Sequence, residues 1–163
     1  MHLVEVVLMT NIQEGDKAPD FTLKDKNEQE YKLSKIAADY TVVYFYPKDN
    51  TPGCTIEAKN FDSNMDKFET LNTQIIGISG QDEASKKKFC EKHDLNLLLL
   101  ADSDFEVSKK YGVYGKKKFM GREYMGINRE TFVLDKDKKV LKHYKKVKPK
   151  EHSEEVLEFI KNQ

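Results

Sequence analysis

A continuous apolar run in the first third of the chain constrains the fold more than any other feature. Residues 41–46 (TVVYFY) are all β-branched or aromatic. A run of this kind without polar alternation is typical of a strand buried on both faces. It stops at Pro47, and a short polar loop leads to a helical pattern that begins at Pro52. The sequence therefore predicts a central strand, a loop and a helix, in that order.

Strand and helix patterns alternate along the rest of the chain. The predicted strands are 74–79, 97–100, 130–135 and 140–145, and the predicted helices are 52–71, 82–94, a short one ending near 111, and 153–161. Ser103 and Glu106 fit a capping box for the short helix, and four glycines between residues 111 and 128 indicate a long loop. This order predicts an α/β layered domain with a mixed sheet. A ligand site is expected beyond the carboxyl end of a central strand.

The length of 163 residues fits one domain. We expect residues 14–163 to form it and residues 1–13 to be an N-terminal extension, with an edge strand or a disordered segment ahead of Met9. Residues 1–9 lack the basic region and cleavage site of a signal peptide. No run approaches the roughly 20 apolar residues of a membrane-spanning helix. We therefore expect a cytoplasmic protein with no membrane partner.

The charge balance argues against a nucleic-acid partner. Lys and Arg total 28 and Asp and Glu total 28, so no net field attracts nucleic acid or an anionic membrane. Lysine clusters at 86–88, 116–118 and 145–148 are interpreted as solvated faces, with nucleic-acid binding as the alternative.

Cys54 is one of two cysteines in the chain, and in a reducing compartment cysteines are more often reactive than structural. Thr51 suits a helix N-cap and Pro52 the first helical position, which puts Cys54 in the first turn. Free backbone N–H groups and the positive end of the helix dipole favour a thiolate there. Cys54 also shares an apolar face with Ala58 and Phe61, so position alone leaves a small core residue as an equal interpretation.

The wider pattern around Cys54 resembles a known family. Pro47, Thr51 and Cys54 match the P-x-x-x-T-x-x-C signature of the peroxiredoxins, set between a strand and a helix as in that family. Arg129 matches the family's distant arginine ahead of a late strand. The opening Pro-Asp-Phe at 19–21 is also similar to the family.

Two later stretches, 111–115 (YGVYG) and 125–127 (MGI), resemble the Q-type, or bacterioferritin-comigratory, subfamily. The resemblance runs from about residue 14 to the C-terminus. It implies a thioredoxin-like layered fold with a central mixed sheet flanked by helices. It also implies a thiol-specific peroxidase acting on hydrogen peroxide and organic hydroperoxides, without cofactor or metal and mostly monomeric.

The resemblance assigns a role to each matching residue. The Cys54 thiolate would be the peroxidatic nucleophile. Thr51 and the N–H groups of Gly53 and Cys54 would bind the peroxide and the charge that develops on it. Arg129 would supply a permanent cation that stabilises the thiolate and orients substrate, with a surface ion pair to Glu130 or Asp135 as the alternative. Pro47 would shield the thiolate from solvent.

The second cysteine departs from the commonest Q-type arrangement. Many members carry a resolving cysteine five residues after the peroxidatic one, where this chain has Lys59. Other members carry it on the helix that holds Cys90 here, so the resemblance implies a Cys54–Cys90 disulfide reduced by thioredoxin or a similar dithiol. Resolution by an external thiol stays open, as does half a metal site made by Cys90 and His93.

The two cysteines belong to different predicted helices with a strand between them. We expect their Cα atoms to lie more than about 7 Å apart in the reduced protein, beyond disulfide reach. Forming the disulfide would then require local unfolding of both helices, and we expect the weakly amphipathic 82–94 helix to be an element of low stability.

Three other functions remain as alternatives. A non-enzymatic peroxide sensor or holdase would use the same Cys54 chemistry once instead of turning over. The site of a glutathione-peroxidase-type enzyme resembles a Cys-Gln-Trp arrangement. This chain has no Trp, which argues against that type of enzyme. A cysteine hydrolase needs a histidine base, for which His93 and His143 are candidates without any local signature.

Overall fold

The computed structural model describes residues 12–163, so the expected N-terminal edge strand or disordered segment lies outside the described residues. The strands are β1 (Thr22–Lys24), β2 (Glu30–Lys32), β3 (Tyr40–Phe45), β4 (Thr73–Ser79), β5 (Leu98–Ala101), β6 (Tyr114–Phe119), β7 (Arg122–Ile127), β8 (Glu130–Leu134) and β9 (Val140–Tyr144). The α-helices are α1 (Pro52–Ser63), α2 (Met65–Thr70), α3 (Glu83–His93), α4 (Glu106–Lys110) and α5 (His152–Lys161), and a 3₁₀ turn spans Leu33–Lys35.

The central sheet has seven strands in the order β2-β1-β5-β4-β3-β8-β9. Strand β3 lies next to the middle strand, β4, and pairs in parallel with β4 and antiparallel with β8. The parallel β3-β4-β5 unit is bounded by antiparallel neighbours on both sides, β1 next to β5 and β8 next to β3. The predicted mixed sheet is confirmed. β1 and β2 form a hairpin that the sequence patterns did not indicate.

Alternate side chains of β3 face two different cores. Val42 and Tyr44, together with Tyr46 just after the strand, pack with apolar side chains of α1, α3 and α5 on one face. Val43 and Phe45 pack on the other face with α4 and with the segment that precedes β1. Strand β3 is therefore buried on both faces, as its unbroken apolar run predicts. In residues 12–163, no helix combines the length and apolar character needed to cross a bilayer.

The helix predicted over 52–71 is interrupted. Asn64 leaves helical geometry, with φ of −99° and ψ of 5°, and α2 starts afresh at Met65. The side-chain amide of Asn64 donates to Ser153 Oγ in α5 at 3.0 Å. The break therefore coincides with a tertiary contact to α5. The apolar spacing of residues 54, 58, 61, 65 and 68 does not reveal it, because Phe61 and Phe68 stay buried in the same cluster on both sides of the break.

The long loop predicted over 111–128 is wrong, because β6 and β7 pair there as an antiparallel hairpin. Met120 and Gly121 at its tip both have positive φ, 51° and 80°. Two such residues make the tight turn that matches the twist of hairpin strands. Gly115 and Gly126 face each other across the ladder, so their weak strand propensity is offset by pairing.

The capping box predicted from Ser103 and Glu106 is also wrong. The residue before α4 is Phe105, which has a left-handed φ of 61° and no side-chain cap. Asp102 instead accepts hydrogen bonds from the backbone N–H groups of Val107 and Ser108, at 3.2 and 2.8 Å. A buried carboxylate therefore takes over the capping role expected of a hydroxyl.

Candidate active site

The sheet register brings two distant parts of the chain to one edge. Phe45, the last residue of β3, pairs with Glu130, the first residue of β8. Because the strands are antiparallel, the loop that leaves β3 and the residue that enters β8 lie side by side. This loop carries Pro47 and Thr51, and the entering residue is Arg129. The site thus lies at the carboxyl end of the central strand, where the sequence places it.

Cys54 lies in the first turn of α1 and is 1% exposed. Backbone N–H groups of a first helical turn have no acceptors within the helix, and the helix dipole makes this end positive. Cys54 also belongs to the hydrophobic cluster of that face of the sheet. Cys54 therefore lies both in the hydrophobic core and at the positive end of α1.

Arg129 bridges Cys54 and a buried carboxylate. Its Nη2 donates to Cys54 Sγ at 3.3 Å, and its Nη1 donates to Glu57 Oε1 at 2.7 Å. Burial disfavours the charged guanidinium, but the neighbouring Cys54 and Glu57 outweigh it and raise the pKa of Arg129. The alternative of a surface ion pair with Glu130 is wrong, since Glu130 bonds His143 at 2.7 Å.

Glu57, one helical turn after Cys54, was missed by the sequence reasoning. Its side chain is fully buried, and one carboxylate oxygen, Oε2, has no hydrogen-bond partner among the described residues. Burial raises its pKa from 4.5 to about 7, although the charge and hydrogen bond of Arg129 act in the opposite direction. The signal in the sequence is an acidic residue next to Ala58 on the buried side of an otherwise amphipathic helix.

The remaining expected residues lie around this pair. A Cβ added at Gly53 would be 3.1 Å from Arg129 Nη2, so the backbone of the first turn closely approaches the guanidinium. Thr51 has extended backbone geometry at the N-cap position, but its hydroxyl donates to the Lys48 carbonyl at 3.1 Å instead of capping. Pro47, half-buried, follows directly on the buried end of β3.

A second cation and an open cavity lie beside Arg129. Lys117 of β6 donates to the Ile127 carbonyl at 2.9 Å. Its burial, together with the positive charge of Arg129, lowers its pKa. Lys117 and Arg129 line a cavity of about 430 Å³ with Lys145 and Lys146. The cluster at 116–118 is therefore only partly a solvated face.

Cys90 lies near the end of α3 and is buried in the same hydrophobic cluster as Cys54. Both cysteines are free thiols. Burial raises the pKa of the Cys90 thiol, so the protonated form is favoured. Cys90 and His93 are not part of a metal site in residues 12–163, where no group of three candidate ligands comes together.

The interpretation of Lys86 as part of a solvated lysine face is wrong. Its side chain is fully buried and lies 3.3 Å from the Asp49 carboxylate. Phe89 and Cys90, three and four residues on, are buried too. Lys86 lies three residues before Phe89 and therefore shares its face of α3. This spacing could have predicted its burial from the sequence, whereas Lys87 and Lys88 are exposed.

The two histidines considered as hydrolase bases are engaged elsewhere in the described structure. His93 Nε2 lies 2.7 Å from Asn50 Oδ1, and His143 is paired with Glu130 and stacked on Phe132. The sulfur of Cys54 is instead contacted by an arginine, which cannot act as a base. The geometry fits thiolate chemistry without a histidine.

Comparison with known proteins gives a consistent result. The model of the AhpC/TSA family matches residues 14–143. "Peroxiredoxin Bcp" of Bacillus subtilis (strain 168) is 44% identical over 151 residues, covering 93% of this chain and 96% of that protein.

Two solved structures are similar throughout the fold. A Xylella fastidiosa PrxQ mutant superposes with a TM-score of 0.88 at 30% identity, covering 93% of this chain and 97% of its own. The Xanthomonas campestris bacterioferritin comigratory protein, studied for its alkyl peroxide reduction activity, has a TM-score of 0.82 at 30% identity, covering 87% and 90%. The expected thioredoxin-like layered fold is confirmed.

Proposed function

Because this chain belongs to the AhpC/TSA family and is a thiol peroxidase of the peroxiredoxin type, we propose that it reduces hydrogen peroxide and organic hydroperoxides through Cys54. The observation that carries the assignment of this residue is the 3.3 Å hydrogen bond from Arg129 Nη2 to Cys54 Sγ at the start of α1. It supplies a fixed positive charge where a thiolate must form.

In the first step the Cys54 thiolate attacks one peroxide oxygen. A sulfur–oxygen bond forms, the O–O bond breaks, and the departing alkoxide or hydroxide takes a proton to leave as alcohol or water. Arg129 and the free N–H groups of Gly53 and Cys54 are suited to hold the negative charge that develops on the peroxide. Thr51 contributes after its hydroxyl turns from the Lys48 carbonyl, and Pro47 excludes solvent.

In the second step Cys90 resolves the sulfenic acid. Its sulfur attacks Cys54, an S–S bond forms, the S–O bond breaks and water leaves. Thioredoxin or a similar dithiol then returns two electrons and two protons to the disulfide. The place of Cys90 in the same hydrophobic cluster as Cys54 supports this pairing over an external thiol.

The setting of the reaction follows from the same chemistry. Two free cysteines and a dithiol reductant fit the reducing cytoplasm, and a disulfide closed within one chain needs no second copy. We therefore assign the protein to the cytoplasm as a monomer, with residues 14–163 as its peroxiredoxin domain.

Intact-mass analysis with thiol mapping after one equivalent of peroxide tests both steps. One Cys54–Cys90 cross-link in a monomer is expected, whereas Cys54–Cys54 links between chains would contradict the resolving role. Steady-state peroxide consumption with a thioredoxin system should show many turnovers per protein. A single oxidation without turnover would identify a sensor or holdase instead.

A further inference from the structure

A buried polar network joins the loop before Cys54 to the helix that carries Cys90. Asp49, five residues before Cys54, accepts hydrogen bonds from Tyr46 at 2.6 Å and from Ser85 at 2.7 Å. Lys86 Nζ lies 3.3 Å from the same carboxylate and donates to Ser79 Oγ at 2.7 Å. Ser85 and Lys86 stand in the first turn of α3, and Cys90 follows Lys86 by one turn.

The burial of this network makes it strong in the folded state and costly to open. Asp49 is 6% and Lys86 0% exposed. Separating a buried pair leaves an uncompensated charge in a medium of low polarity. The backbone N–H of Asp49 is held as well, by the side-chain oxygen of Gln81 at 2.9 Å.

A second contact ties the loop to the other end of α3. His93 Nε2 lies 2.7 Å from Asn50 Oδ1. The loop residues 49 and 50 thus bond both the first and the last turn of the helix. None of these bonds reaches the Cys54 sulfur, whose hydrogen-bond partner among the described residues is Arg129.

We propose that Tyr46, Asp49, Ser79, Ser85 and Lys86 form a latch that fixes the loop before Cys54 to α3 and sets how fast Cys90 is released to resolve oxidised Cys54. This inference rests on the proposed resolving role of Cys90. Asp49 and Lys86 are positioning residues, since neither contacts the reacting sulfur.

The latch would divide the fate of the sulfenic acid between two reactions. Resolution forms the Cys54–Cys90 disulfide and releases water. While the latch is closed, a second peroxide can instead transfer an oxygen to the sulfenic acid, giving the sulfinic acid and an alcohol or water. A tight latch therefore makes the enzyme more sensitive to inactivation by its own substrate.

Lys86→Met tests the latch, with Lys87→Met as the matched control, because Lys87 is the exposed neighbour on the same helix. Removing a contact that must break before α3 opens speeds that opening. We expect disulfide formation to accelerate about tenfold in Lys86→Met and to stay unchanged in Lys87→Met. The sulfinic fraction after a fixed peroxide dose should fall in parallel.

Two rates must be measured separately, the loss of the Cys54 thiol and the formation of the disulfide, by rapid quench and mass mapping. Damage to the site around Cys54 would slow the first rate, whereas loss of the latch should speed the second rate and leave the first unchanged. Ser85→Ala removes one hydrogen bond at a partly exposed position, keeps the charges and should speed disulfide formation about threefold. Ser85→Ala therefore tests the latch even if Lys86→Met does not fold.

Three results would overturn the latch. An unchanged or slower disulfide step in folded Lys86→Met or Ser85→Ala refutes the latch alone. An equal acceleration in Lys87→Met would show a general effect of charge on α3. If the wild type forms no Cys54–Cys90 disulfide, the resolving role fails and the latch fails with it.

Discussion

Each cysteine of this protein lies close to a buried ion pair, yet the two pairs are built differently. Beside Cys54, Arg129 bonds Glu57 at 2.7 Å through one nitrogen and the sulfur at 3.3 Å through another. One turn before Cys90, Lys86 directs its ammonium group to Asp49 and to Ser79.

The difference lies in the donors. A guanidinium carries five N–H groups in a rigid fork and can serve a carboxylate and a sulfur together. The ammonium group of Lys86 instead bonds Asp49 and Ser79. Burial raises the pKa of the Cys90 thiol. Among the described residues, the guanidinium therefore directs a donor at a cysteine sulfur, whereas the ammonium group of Lys86 is bound by Asp49 and Ser79.

The largest effect is expected at the nucleophile. Cys54→Ser is nearly isosteric and should fold, but peroxide reduction should fall to background because an alcohol is not ionised at neutral pH. Cys90→Ser, its counterpart, should keep the first oxidation and lose only repeated turnover. Peroxide consumption followed over one and many turnovers separates the two. Substantial turnover by Cys54→Ser would remove the basis of the assignment.

The next effect concerns the cation. Arg129→Met removes the donor to sulfur at similar volume, and we expect the first oxidation to slow by about a hundredfold. Arg122→Met, at an exposed arginine of the β6–β7 hairpin, is the matched control and should behave as wild type. Equal losses in both variants would place the effect outside the site.

Glu57 should make stability depend on pH. Its pKa rises on folding from 4.5 to about 7 because of burial. Between these values the unfolded chain loses the proton and the folded chain keeps it, so the free energy of unfolding should fall as pH rises. The total loss is on the order of 3 kcal/mol. Glu57→Gln should flatten this slope in denaturant titrations, and a slope unchanged from wild type would argue against the shift.

The sequence anticipated the parts of this molecule that depend on local patterns. The apolar run of β3, the helix start at Pro52 and the signature around Cys54 are local, and they predict strand β3, helix α1 and the position of the candidate site between them. The thioredoxin-like fold was predicted through the family resemblance.

What the sequence did not predict depends on tertiary partners. Glu57 and Lys86 are charged residues on buried helix faces, and their burial depends on Arg129 and Asp49, which are 72 and 37 residues away along the chain. The β6–β7 hairpin was missed because its glycines suggested a loop, whereas cross-strand pairing outweighed their low strand propensity.

The smallest expected effect tests how finely Arg129 is placed. A methyl group at Gly53 would lie 3.1 Å from Arg129 Nη2 and 3.4 Å from Pro149 Cγ. The guanidinium must then move by a few tenths of an ångström, which lengthens its bond to Cys54. We expect Gly53→Ala to slow the first oxidation by about threefold. The higher helix propensity of Ala should keep the stability of the protein equal or raise it slightly.

Gly115→Ala is the matched control, because an added Cβ there meets nothing within 4 Å, and it should leave the rate of the first oxidation unchanged. Stopped-flow oxidation of both variants, with denaturant unfolding of each, separates a displaced cation from a damaged fold. A wild-type rate in Gly53→Ala would mean that the arginine tolerates the shift, and that the contrast between the two ion pairs rests on charge rather than on the exact position of the donor.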